Sequence, residues 1–139
     1  MGLNFMLIDD NEIDLFVNRK FIERTVGDVE ILTFIRAKKA LDFLSSLSIH
    51  TSSDYHFLPD IILLDLNMPE MGGFEFLDAY SRLQNKSLTK TKIFMLSSST
   101  NVKDRVDADR HIACQGFLSK PLSCEIVQKI LENLIPALN

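Results

Sequence analysis

An α/β domain built as a three-layer sandwich, with five parallel strands in the order 2-1-3-4-5, is predicted by three features of this sequence. Short apolar runs alternate with helix-periodic segments five times from end to end, the pattern of βαβ units closing a parallel sheet. The first, third and fourth runs are continuously apolar, as strands buried on both faces should be. The chain has 139 residues, room for one core and one domain, with no internal repeat or shift of composition to divide it.

The first strand is Phe5-Met6-Leu7-Ile8, which runs into Asp9-Asp10. Ile13, Phe16, Val17 and Phe21 follow at helical spacing and predict a first helix with those residues on the core. The second run, Val29-Glu30-Ile31-Leu32-Thr33-Phe34, alternates in part and suits a sheet edge. Ala37, Ala40, Leu41 and Leu44 mark the second helix. Residues 45–55 are polar and rich in Ser and Thr, with Pro59 soon after, and read as a loop. The third strand, Ile61-Ile62-Leu63-Leu64, ends in Asp65, and Phe74, Leu77 and Tyr80 give the third helix a weaker stripe. Ile93-Phe94-Met95-Leu96 runs into Ser97-Ser98-Ser99-Thr100. Residues 102–112 are so charged that only Val102, Val106 and Ala113 are left to face a core, so this helix should be the least firmly packed. Gly116-Phe117-Leu118 is a short strand at the other edge, ending in Ser119-Lys120-Pro121. Ile126, Val127, Ile130, Leu131 and Leu134 form a clear last stripe.

Composition narrows the function. A chain 46% hydrophobic and 24% charged can repay its chain entropy by burial, which excludes disorder. The net charge of -4 and the lack of a Lys/Arg block argue against direct nucleic-acid binding. No apolar run approaches the ~20 residues that cross a bilayer, and the start lacks a leader pattern, so no membrane contact and a cytoplasmic location are expected. Cys114 and Cys124 read as reduced packing residues, and His50, His56 and His111 as solvent-facing side chains without a role.

In a 2-1-3-4-5 sheet the first and third strands are neighbours at the topological switch point, so the groups that end them face one crevice. Those groups are Asp9, Asp10 and Asp65. Two unit charges ~4 Å apart repel by about 4 kcal/mol at an effective dielectric near 20, so such a cluster calls for a cation. A hard ion with oxygen ligands, magnesium, fits this donor set better than zinc. The fourth and fifth strands open on the same edge with Ser97 and Lys120, a hydroxyl donor and a fixed positive charge of the kind that a phosphoryl group's oxygens require. Pro121 restricts Lys120 to extended geometry. The loop Asp65-Leu66-Asn67-Met68-Pro69-Glu70-Met71-Gly72-Gly73 carries carbonyls able to ligate metal and glycines that permit close approach.

Each element alone could be duller. Asp9 and Asp10 could cap the first helix, Asp65 could form a turn, Lys120 could be solvated, and the serines could cap the fourth helix. That reading needs four independent accidents on successive strand ends. Phe117 is most simply a core residue, although its place beside the loosest helix leaves room for an aromatic that moves.

These residues together resemble the receiver domain of two-component response regulators, over essentially the whole chain. The carriers are Asp9-Asp10, Asp65 within Leu64-Asp65-Leu66-Asn67-Met68-Pro69-Glu70-Met71-Gly72-Gly73, Ser97, and Lys120-Pro121, in the family's order and spacing. The resemblance implies a flavodoxin-like fold. It implies that Asp65 accepts a phosphoryl group from a histidine kinase or a phosphotransfer protein. Asp9, Asp10, Asp65 and the backbone carbonyl of Asn67 would hold magnesium, Ser97 and Lys120 would contact the phosphoryl oxygens, and Phe117 would be the switch aromatic that turns inward. The implied product signals by binding a downstream protein or by relay, as a monomer or a phosphorylation-dependent dimer. Ser98 departs from the smaller Ala or Gly common there and is expected to crowd the phosphoryl group. With Asn139 ending the chain after the last helix, a single receiver domain without an output domain is expected.

Two competing functions fit less well. A haloacid-dehalogenase-like phosphatase wants a second Asp two residues after the first and a Thr two further on, where this chain has Asn67 and Pro69. Nucleotide-binding glycine motifs are absent from the sequence.

Overall fold

The computed structural model describes residues 2–47 and 57–134. Its elements are β1 (Leu3–Ile8), α1 (Glu12–Val26), β2 (Val29–Phe34), α2 (Ala37–Ser46), β3 (Ile61–Leu64), α3 (Gly73–Leu83), β4 (Lys92–Ser97), α4 (Val102–Arg110), β5 (Cys114–Ser119) and α5 (Cys124–Leu134). A short 3-10 turn, Lys86–Leu88, joins α3 to β4. The sheet order is β2-β1-β3-β4-β5, every neighbouring pair parallel, as the sequence predicts.

Strand alternation divides the core between the two faces of the sheet. Met6, Ile8, Ile62, Leu64, Ile93 and Met95 point to one side, where α2, α3 and α4 cover them. Phe5, Leu7, Ile61, Leu63, Phe94 and Leu96 point to the other, under α1 and α5. β3 is buried at all four positions, which is why it reads as an unbroken apolar run. On α5, Val127 and Ile130 are fully buried, and Ile126 and Leu131 pack against the same cluster.

Five expectations need correction. First, α1 turns a different face inward. Leu15, Asn18 and Ile22 are its buried residues and Phe21 packs against the core as expected, whereas Ile13, Phe16 and Val17 are 75%, 62% and 37% exposed. The helix carries two stripes at helical spacing, and polar Asn18 in the middle of the inner one disguises it. Second, α4 packs through Ala108, while Val102 and Val106 lie exposed and only Ala113 beyond its end joins the core. Its weak anchorage is as expected. Third, β5 is six residues long, because the flanking Cys114 and Ser119 pair with β4 as the apolar residues do, while polar Gln115 falls at a register shift between the Ile93 and Phe94 pairings. α2 continues to Ser46, so the polar loop begins later than expected, and the rest of it, with His50 and His56, lies outside the described residues. His111 is not a free surface side chain. Its Nε2 lies 2.7 Å from Asp78 Oδ1 on α3, and its Nδ1 accepts the Ala113 N–H.

Candidate functional site

β1 and β3 are adjacent in register, with Ile8 opposite Leu64, so the residues that follow them emerge side by side. The Asp65 N–H donates to the Ile8 carbonyl at 2.9 Å, which carries the pairing one residue past the strand. In consequence Asp9, Asp10 and Asp65 bring one carboxylate oxygen each to within 4.8 Å of one another. Asp9 and Asp65 are buried and Asp10 is exposed.

Helix capping does not account for the acidic pair. The N-cap of α1 is Asn11, whose side chain accepts from the Ile13 and Asp14 N–H groups. Asp9 Oδ1 instead accepts from the Asn11 N–H at 2.9 Å, which fixes the rotation of its carboxylate and leaves Oδ2 turned to the site. The serine run does not cap α4 directly either, since Asn101 is the capping residue there.

Behind Asp65 the chain is held by a close approach. The Gly73 N–H donates to the Leu66 carbonyl at 2.8 Å, and a Cβ at Gly73 would stand 2.8 Å from the Asp65 carbonyl oxygen and 2.8 Å from Met95 Cε. Only glycine lets α3 start this near the Asp65 backbone. Glu70, in the same loop, has a φ of 69°, a left-handed conformation that a non-glycine residue adopts at some cost.

Lys120 reaches the cluster from β5. Its N–H donates to the Ser97 carbonyl at 2.8 Å, extending the β4–β5 pairing, and the Lys120–Pro121 peptide bond is cis. The ammonium donates to Asp9 Oδ2 and to Asp14 Oδ2, both at 2.9 Å, and lies 3.3 Å from Asp65 Oδ1. Asp14, on the first turn of α1, was not singled out by the sequence. Its signal was its place on α1, five residues after Asp9, but without the turn geometry it reads as one of several acids favoured at a helix N-terminus.

Three carboxylates thus face one ammonium, with Asp10 beside two of them, an excess of negative charge when all are ionised. Burial, then the charge of Asp9, pushes the Asp65 carboxyl up to about 6, although Lys120 pulls it the other way. Burial alone would lower the Lys120 ammonium, but the hydrogen bonds to Asp14 and Asp9 and the charge of Asp65 outweigh it and hold the group well above the usual lysine value. Lys120 therefore stays cationic. The donor set is all oxygen, which fits a hard divalent cation and not a thiolate- or imidazole-seeking one.

Ser97 closes the floor. It is buried, and its hydroxyl oxygen accepts the Ser99 N–H at 3.0 Å, so its own hydrogen remains available to donate. It makes no hydrogen bond to Asp65 among the described residues. Ser98 is exposed, and Asn67 is exposed on the loop two residues past Asp65. Phe117 lies apart from the carboxylates, buried in the core on the α4 side with the Arg105 guanidinium 5.1 Å from its ring centre.

Comparison with known proteins places the fold in a family. The response regulator receiver domain model matches residues 5–132. Among curated relatives, Two-component response regulator ARR6 of Arabidopsis thaliana is 27% identical over 96% of this chain and 69% of its own length. Two-component response regulator ORR1 of Oryza sativa subsp. japonica is 30% identical, and this chain spans 95% of itself but only 54% of that protein. A two component response regulator from Cytophaga hutchinsonii superposes with a TM-score of 0.83 at 26% identity, covering 98% of both chains. A response regulator receiver protein from Dyadobacter fermentans DSM 18053 gives a TM-score of 0.79 at 29% identity, over 94% of this chain and 96% of that one. With the family model spanning both core faces and every strand end that forms the acidic crevice, the chain belongs to the response regulator receiver domain family.

Proposed function

We propose that this chain is a response regulator receiver domain whose Asp65 carboxylate accepts a phosphoryl group from a histidine kinase or a phosphotransfer protein. The observation that carries the reading is the placing of Asp65. It is a buried carboxylate with a cationic ammonium 3.3 Å away and two further carboxylates alongside. In the transfer, an Asp65 oxygen forms a bond to phosphorus as the bond from phosphorus to the donor's imidazole nitrogen breaks, and the freed imidazole takes up a proton. Lys120 and the Ser97 hydroxyl would neutralise and orient the equatorial oxygens. Magnesium, held by Asp9, Asp10, Asp65 and the Asn67 carbonyl, would offset the charge that builds between donor and acceptor. Attack of water on the acyl phosphate would return Asp65 to its free state.

The signalling step is a bias between two states. Phe117 and α4 are suited to it, because Ala108 is the only buried residue of α4 and its Arg105 guanidinium lies against the Phe117 ring. The modified form would then bind a downstream protein or pass its phosphoryl group on. Exposed Ile13, Phe16 and Val17 flank Asp14 at the mouth of the site and offer apolar surface to the donor protein.

Incubation with acetyl phosphate and magnesium should label the wild-type chain, as read by mass spectrometry or acid-labile phosphate, and should leave Asp65→Asn unlabelled. Equal labelling of the two proteins would refute the assignment. Sustained turnover of a phosphate ester would favour a phosphatase instead.

A further inference from the structure

We propose that Asp14 is a positioning residue that holds the Lys120 ammonium in the resting site, in competition with a phosphoryl group on Asp65. The proposal rests on the reading of Asp65 as phosphoacceptor. An ammonium has three hydrogens to donate. In this structure two are given to Asp9 and Asp14, in hydrogen bonds of 2.9 Å each, and Asp65 lies 3.3 Å away as an ion-pair partner. Asp14 therefore competes on equal terms with Asp9 and sits closer to Lys120 than Asp65 does.

The position of Asp14 is set independently of the acidic trio. The Asn11 side chain accepts the Asp14 N–H at 3.1 Å, which fixes the first turn of α1 and so the backbone from which the carboxylate extends. When Asp65 carries a phosphoryl group, about 1.5–2 negative charges and three strong acceptor oxygens are added where Asp65 now meets Lys120. The hydrogen turned to Asp65 can pass to one of them, and a second contact from Lys120 requires the release of another present partner. Of the three, Asp14 alone lies outside the trio suited to the metal, and its side chain is 37% exposed against 6% for Asp9 and 10% for Asp65. Water can take over its hydrogen bonds, so it is the partner released at least cost. An interaction present in only one of two states shifts the balance between them by its own strength. Asp14 thus favours the unphosphorylated form and lowers the affinity of the site for a phosphoryl group.

The test uses beryllium fluoride with magnesium chloride, a phosphoryl mimic, titrated into the full chain by calorimetry. Asp14→Ala should bind about three- to tenfold more tightly than wild type, as expected for a partly exposed charge-assisted hydrogen bond. Asp14→Asn keeps an acceptor oxygen but no charge and should fall between the two. Glu12→Gln removes a charge from the same turn without contact to Lys120 and should stay within about twofold of wild type. Wild-type affinity or weaker in both Asp14 variants, or an equal gain from Glu12→Gln, overturns the proposal. A wild-type chain that fails to bind the mimic overturns the reading of Asp65 instead. Proton exchange of the Lys120 ammonium, followed by nitrogen NMR in magnesium-free protein, then decides the matter for Asp14 by itself. Exchange severalfold faster in Asp14→Asn supports the hold, and an unchanged rate rejects it.

Discussion

Asp65 carries two demands that conflict in the free protein. It must be ionised to act as a nucleophile, yet burial and the neighbouring Asp9 oppose its charge and move its carboxyl from 3.8 to about 6. Between these values the folded chain keeps a proton that the unfolded chain has released. Stability therefore falls as pH rises from about 4 to about 6, and the whole cost is present above that window. Asp65→Asn removes the charge while keeping the shape. In magnesium-free buffer at pH 8 the variant should be more stable than wild type by about 1–3 kcal/mol in denaturant unfolding, and near pH 4 the difference should vanish. A variant less stable than wild type at pH 8 would contradict the electrostatic account. The aspartates and Lys120 were legible in the sequence because each sits directly after a strand, where apolar runs stop and polar residues begin. Asp14 was not, since its role depends on how a helix turn points back at β5.

At the scale of elements, the strands were easier to read than the helices. A strand buried on both faces needs apolar residues at every position, as in β3, and few arrangements besides a central strand produce so short an unbroken run. A helix needs only one apolar side, and α1 offers two. The inner side is built from Leu15, Asn18 and Ile22, and the outer from Ile13, Phe16 and Val17. β5 was underestimated for the opposite reason, since an edge strand satisfies its backbone through β4 and tolerates polar side chains. The orientation of α1 is open to a direct comparison. Ile22→Ala, at a fully buried position, should cost about 2–5 kcal/mol of stability, whereas Phe16→Asp on the exposed face should cost under about 1 kcal/mol. If the exposed face receives the phosphoryl donor, Phe16→Asp should also slow transfer from a phosphotransfer protein severalfold while labelling by acetyl phosphate stays within about twofold of wild type. Similar stability losses from both substitutions would mean that α1 is turned the other way.

Taken as a whole, the molecule concentrates its electrostatic strain at one edge of an otherwise apolar sheet. Asp9 follows β1, Asp65 follows β3, Lys120 follows β5 and Asp14 opens α1, so repulsion at the site acts on three strands and a helix at once. A cation that binds only the folded arrangement should stabilise the entire fold and not a single loop. For one site the gain is RT ln(1 + [L]/Kd), about 2.7 kcal/mol when free magnesium is a hundred times its dissociation constant. At pH 8 this should raise the melting temperature of a chain this size by several degrees, on the scale of about 2–8 °C per kcal/mol, and chelation should reverse it. Protons compete for Asp65, so the increment should shrink as pH falls below about 6. Asp65→Asn should lose most of the magnesium increment even though its metal-free form is the more stable of the two proteins. That opposite pairing separates a true ligand from a residue that merely destabilises. If magnesium raised the melting temperature of wild type and Asp65→Asn equally, the ion would be acting elsewhere on the acidic surface and the crevice would not be its site.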